Sequence, residues 1–253
     1  MQGWFDTPPG RYLQQWEQAT FDEAVADLFG YHALQVGLPA LETLRANRMP
    51  HRWLALEPGQ DAGGRLPDLR AESHALPFEA ASLDLVVLPH ALELSADPHT
   101  TLREVERVLV PEGRVVISGL NPLSLWGLRQ HRARLYRRVG MGALYLPETG
   151  EFIAYRRLRD WLRLLGFEVE VGRFGCWRPA LTSQPWLDRF AWMDRAGERW
   201  WPFLGAAYFL VAVKRVRGAR LLEAKWPRAA TIAAAPVPLA RRGPSVNTRN
   251  ETT

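Results

Sequence analysis

"LPFEAASLDLVVLPHALELSADPHTTLREVERVLVPEGRVVISG" spans residues 76–119 of a 253-residue chain, and its order of elements decides the fold. Leu83, Leu85, Val86, Val87 and Leu88 make an apolar run, as expected of a strand covered on both faces. The stretch "DPHTTLREVERVL" then predicts a helix. Asp97 is suited to its N-cap and Pro98 to its first position. Leu102, Val105, Val108 and Leu109 share one helical face. "VPEG" (110–113) predicts a turn, and "RVVISGL" (114–120) the next strand.

The same alternation extends in both directions. Upstream, "HALQVGLPALETL" (32–44) predicts a strand at 33–36, a turn at Gly37 and a helix after it. "RWLALE" is a second strand ending at Glu57, "PGQDAGGRLPD" a loop, and "LRAES" (69–73) a short third strand. Before these, Tyr12, Leu13, Trp16, Ala19, Ala24 and Leu28 recur at roughly helical spacing over 10–29, with Gly30 placed to cap that helix. Downstream, 122–150 reads as irregular and Arg-rich. "RRLRDWLRLLG" predicts a helix closed by Gly166, "FEVEV" a strand, 172–200 a Trp-rich insertion, and "AAYFLVAVKR" a last strand. Strands alternating with helices predict an α/β fold with a mostly parallel sheet and helices on both faces. One domain is expected over 1–217, with 1–30 as a helical lead-in. The Ala-, Pro- and Arg-rich 218–253 is expected to be a disordered basic tail, because it cannot bury enough apolar surface to offset its ordering entropy.

Composition narrows the function classes. A single cysteine, Cys176, excludes an internal disulfide and points to a reducing compartment, with the thiol packed as a small apolar group. No signal peptide opens the chain, and the longest apolar run, 200–213, is too short to span a bilayer, so a cytoplasmic protein without a transmembrane segment is expected. Residues 214–253 hold nine basic and two acidic residues, so the net +5 of the chain leaves about −2 on the first 213. The basic character belongs to the tail, which makes nucleic acid an unfavoured partner. No metal-ligand spacing is present.

Residues 76–119 resemble the downstream half of a class I S-adenosylmethionine-dependent methyltransferase, of the type 11-like kind. The matching pieces are Leu76-Pro77-Phe78, Leu83-Asp84-Leu85-Val86, His90-Ala91-Leu92-Glu93 and Arg107-Val108-Leu109-Val110-Pro111-Glu112-Gly113. "LRDWLRLLGFEVEV" (158–171) is similar to the family's sixth strand and the helix before it, and "WFDTPPGRYL" near the N-terminus resembles a small bacterial subgroup. The resemblance covers roughly 30–215. It implies a Rossmann-like sheet of seven strands with the last antiparallel, S-adenosyl-L-methionine as cofactor, and a small-molecule methyl acceptor.

The resemblance also assigns residues. The family's first motif is an acid followed by Gly-x-Gly-x-Gly; aligned here, Gln35 takes the acidic position, Gly37 the first glycine, and Pro39 and Leu41 the other two. A proline removes an N–H donor and a leucine adds bulk where the backbone should approach the cofactor. Glu57 stands where the family binds both ribose hydroxyls, and Glu72 where an Asp faces the adenine amino group. His90 falls at the mouth of the cleft beside the sulfonium, as a cofactor contact and candidate proton acceptor. Each has a plainer reading as a turn, strand-end or surface residue. Arg129, Arg132, Arg134, Arg137 and Arg138 read either as a solvated helix face or as an anion or peripheral membrane contact. Trp177, Trp186, Trp192, Trp200 and Trp201 read either as core or as an aromatic lid for an apolar or flat acceptor. The degenerate glycine loop raises an alternative, a non-catalytic methyltransferase-like scaffold. The arginines raise another, an RNA methyltransferase, although the Asn/Asp-Pro-Pro-Tyr signature is missing.

Overall fold

The computed structural model describes residues 2–137, 144–147, 150 and 152–215. Residues 1–217 form one compact unit. The expected tail at 218–253 lies outside the described residues, as does Arg138.

A four-residue helix α1 (Gln2–Phe5) precedes α2 (Pro8–Ala26), which starts two residues earlier than the periodicity implies. Thr7 caps it, its side chain accepting the Gly10 N–H at 3.3 Å, and Pro8 and Pro9 occupy positions where no N–H is needed. The helix ends at Ala26, so Gly30 is not its cap. Gly30 instead lies where a Cβ would strike Asp84, whose carboxylate accepts the N–H groups of Tyr31 and His32. Then come β1 (His32–Val36), β2 (His51–Leu56), β3 (Leu69–Arg70), β4 (Leu83–Pro89), α3 (Ala91–Leu94), α4 (Pro98–Val108), β5 (Leu109–Leu120), α5 (Leu125–Arg137), α6 (Tyr155–Leu164), β6 (Phe167–Gly175), α7 (Gln184–Arg189), α8 (Trp192–Trp200) and β7 (Ala207–Lys214).

The seven strands form one sheet in the order β3-β2-β1-β4-β5-β7-β6. β7 runs antiparallel to β5 and β6, and the other pairs are parallel. Parallel strands need both faces covered. One face packs Leu34, Val86 and Ile117 under α4 and α6; the other packs Ala33, Val87 and Phe209 under α2, whose Leu13, Phe21 and Val25 are buried. The expected turn at 110–113 is absorbed into β5 as a bulge, with Glu112 at φ 64° and the register with β4 stepping from Leu83↔Leu109 to Leu85↔Arg114.

The expected helix after Gly37 does not form. Residues 38–47 are turns, because Gln35 takes their backbone groups. Its amide donates to the carbonyls of Gly37, Leu38 and Leu41, while its Oε1 accepts the N–H and hydroxyl of Thr43. Leu38, at φ 41°, also interrupts a helix.

Candidate active site

The carboxyl ends of β1 and β2 open into a cavity of about 260 Å³. Val36 and Gly37 come from the end of β1, Glu57, Pro58 and Gln60 from the turn after β2, Ser73 from beyond β3, and Ala91 and Leu94 from α3. In open α/β sheets, ligands bind in this crevice beyond the strand ends. Gly37 has φ +76°, and a Cβ there would reach only Ala91 at 3.9 Å and Gln60 at 4.0 Å, so the cradle is not filled. Its N–H is bonded to the Ala55 carbonyl at 2.8 Å, which fixes the turn to β2.

Glu57 follows directly on β2. Its Oε1 accepts the Ser73 hydroxyl at 2.8 Å, and among the described residues its second oxygen has no hydrogen-bond donor. The turn behind it is rigid. Gln60 N–H donates to the Glu57 carbonyl at 3.0 Å, Gly59 sits at φ +81°, and Arg70 donates to the carbonyls of Glu57 and Gln60. A carboxylate with an open oxygen, a hydroxyl beside it and an apolar wall opposite match the needs of a ribose diol and an adenosyl group. Leu41 is buried on the α2 side of the sheet and Pro39 lines a surface groove against α2, so neither occupies the cavity.

The other sequence candidates lie elsewhere. Gln35 is fully enclosed and serves the loop, with no face on the cavity. Glu72 is exposed and pairs with His74 at 3.0 Å, and Ser73 takes the inward position. His90 is not at the cleft mouth. It is fully buried behind Ala91, in a left-handed conformation at φ 52° with its N–H bonded to the Ser118 carbonyl. The reason is two carboxylates that the motif spacing does not reveal. Nδ1 bonds Glu93 Oε2 at 2.9 Å, and Nε2 lies 2.8 Å from Oε1 of Glu17 on α2. That second approach is off the hydrogen-bond direction, so both Glu17 oxygens, Nε2 and Ser118 Oγ have no hydrogen-bond partner among the described residues. Glu93 Oε1 also accepts the Leu120 N–H. Burial pushes His90 down, but Glu17 and Glu93 push it up further, to about 10. Burial raises Glu93 against the pull of His90. Both acids thus favour the protonated ring, against its burial.

A second concavity shares no lining residue with the cavity. A groove of about 900 Å³ between α2, β6 and α8 is lined by Trp16, Tyr155, Phe174, Trp177 and Phe203. The Tyr155 ring packs 5.9 Å from that of Tyr208, and a Cβ on Gly119 would meet both the Tyr208 hydroxyl and Glu93. Tyr12, bonded to Asp194, and Arg173, bonded to Glu23, tie α2 over the cluster. Of the five tryptophans read as core or lid, Trp177 is buried and the other four are exposed. Cys176 is buried, as read, and its burial raises the thiol.

Glu17 carried one legible signal: it shares a helical face with Leu13, Phe21 and Val25, an acid inside an apolar stripe. Gln60 carried none beyond its place in a loop, and Ser73, expected to end the third strand, lies in a turn because that strand closes at Arg70.

Comparison with known proteins follows the same geometry. A family model described as a methyltransferase domain matches residues 54–117, a span that includes Glu57, Ser73 and His90 but begins after Gly37. "Uncharacterized protein YafS" of Escherichia coli (strain K12) is 32% identical over 167 residues, covering 66% of this chain and 65% of that protein. Malonyl-[acyl-carrier protein] O-methyltransferase of Halorhodospira halophila is 42% identical over 59 residues, covering 23% of this chain and 20% of that protein. The chain thus spans just under two thirds of the first relative's length and a fifth of the second's. An S-adenosylmethionine-dependent methyltransferase structure from Archaeoglobus fulgidus superposes with TM-score 0.55 at 16% identity, covering 79% of this chain and 94% of that one. One from Mesorhizobium loti gives TM-score 0.51 at 17% identity, covering 77% and 96%. At these identities the superpositions bear on the fold.

Proposed function

We propose that the chain is a class I S-adenosylmethionine-dependent methyltransferase that transfers a methyl group to a small-molecule acceptor, a reading supported by the matched segment 54–117 and by the fold. S-adenosylmethionine is the cofactor of this family, and when bound it supplies an electrophilic methyl on a sulfonium. The chain's own residues bind and orient. Glu57 holds the ribose hydroxyls with Ser73 fixing its carboxylate, Gly37 lets the backbone approach, and Ala91 and Leu94 form the apolar wall. The observation that carries this reading is the open oxygen of Glu57 facing an unfilled Gly37 cradle. Displacement at a methyl carbon relies largely on positioning, and a base is needed only to take the proton that an N–H or O–H acceptor releases.

The acceptor is proposed to enter from the aromatic groove, which fits an apolar or flat molecule. The replacement of two of the three motif glycines by Pro39 and Leu41 favours a second reading, a protein that binds the cofactor without transferring its methyl group.

Thermal unfolding with and without S-adenosylmethionine or its demethylated product tests the binding. At a hundredfold excess over the dissociation constant, the ligand adds roughly 2.7 kcal/mol to stability. Glu57→Ala is expected to abolish the rise in Tm while leaving the unliganded Tm nearly unchanged. A wild-type chain with no rise at millimolar cofactor contradicts both readings.

A further inference from the structure

We propose that α5 and the tryptophan-bearing segment 186–204 form one face that docks on an anionic lipid bilayer. α5 has two apolar sides. The inner one buries Trp126 and Gly127 with Gln130. The outer one carries Leu125, Leu128, Leu135 and Tyr136, which are 50%, 57%, 58% and 51% exposed. Their spacing of i, i+3, i+10 and i+11 places them on one stripe of the helix. Four exposed apolar side chains on one side of a helix mark a candidate interaction surface. Arg132 falls within the stripe and Arg129 beside it, and no acidic residue occurs from 121 to 137.

The insertion is fastened to α5. The Asn121 amide donates to the carbonyls of Phe203 and Gly205 at 2.9 Å each, Trp126 Nε1 donates to the Arg178 carbonyl at 2.8 Å, and Arg129 bonds the Ala180 carbonyl. The segment so attached exposes Trp186, Trp192, Trp200 and Phe203, each by more than half.

The composition selects the occupant. Leucines on a helix lying in the plane of a bilayer enter the acyl boundary. Indoles settle at the headgroup level, and arginines bury their stems while meeting anionic headgroups. α5 carries no acid and so has the opposite sign to such a surface, while on 186–204 Arg189, Arg195 and Arg199 are balanced by Asp188, Asp194 and Glu198. An RNA partner would use the arginines and leave the leucine stripe in water. The face begins at residue 121, next to Leu120, whose N–H bonds Glu93. The proposal stands apart from the cofactor cavity and does not depend on methyl transfer.

The test is sedimentation of the full chain with vesicles of phosphatidylcholine alone and of phosphatidylcholine mixed with phosphatidylglycerol. Binding is expected to be roughly tenfold or more tighter on the anionic vesicles. The variant Leu125→Glu/Leu128→Glu/Trp192→Glu is expected to lose roughly tenfold or more of that binding at unchanged Tm. Hydrogen exchange on the vesicles is expected to protect 121–137 and 186–204. The proposal is overturned if the variant sediments as well as wild type, if protection is confined to 216–253, if no vesicle is bound, or if the same face protects only against single-stranded RNA.

Discussion

His90 has no exposed surface and lies within 3 Å of two carboxylates, which makes it the most strongly coupled ionisable group near the sheet's carboxyl edge. Its ordinary value is 6.5, and the fold raises it to about 10. Below 6.5 both folded and unfolded chains carry the proton, so the stabilisation is complete. Between 6.5 and about 10 the unfolded chain has lost the proton and the folded one retains it, so stability falls as pH rises through this window. The raised Glu93 acts in the same sense: above its ordinary value of 4.5 the unfolded carboxyl ionises more readily than the folded one, so rising pH favours unfolding. Urea unfolding should therefore show declining stability from neutral to alkaline pH. His90→Asn, chosen because Asn accepts the left-handed backbone, is expected to cost about 3–5 kcal/mol at neutral pH by stranding two buried acids. It should also flatten the alkaline decline. A variant profile parallel to wild type would mean that His90 is neutral in the fold.

At the scale of elements, the loop 37–47 shows how one side chain replaces a helix. An acid at position 35 would match the family pattern, yet Gln35→Glu removes the only donor among the side-chain atoms and turns an oxygen toward the carbonyls of Gly37, Leu38 and Leu41. Unsatisfied buried polar groups cost about 1–3 kcal/mol each. The variant should be less stable by at least that much in urea and should bind cofactor more weakly. Tighter binding with unchanged stability would show that the loop is not clasped by Gln35. The elements legible in the sequence were those whose signals are local. The Asp97 cap and Pro98 predict α4, whose N–H groups at His99 and Thr100 do bond Asp97. The apolar run 83–88 predicts β4, buried on both faces. The third strand was legible at Leu69, but its end at Arg70 and the missing helix after Gly37 were not, because an unpartnered sheet edge and a side-chain clasp decide them.

At the scale of the whole molecule, the strand order places β1 beside β2 in parallel, which brings their carboxyl ends together. That is why Gly37 and Glu57, fixed to strand ends, reach one cavity, whereas Gln35, Glu72 and His90 do not. Gln35 and Glu72 are turned away by neighbours two to eight residues on, and His90 by Glu93 and the distant Glu17. The central claim is that this cavity holds the adenosyl group, and a crystal structure of the full chain with the demethylated cofactor product tests it most directly. The account predicts ligand between Gly37 and Ala91 with both ribose hydroxyls on Glu57. Ligand bound away from Glu57, or a cavity left vacant under saturating ligand, would contradict it.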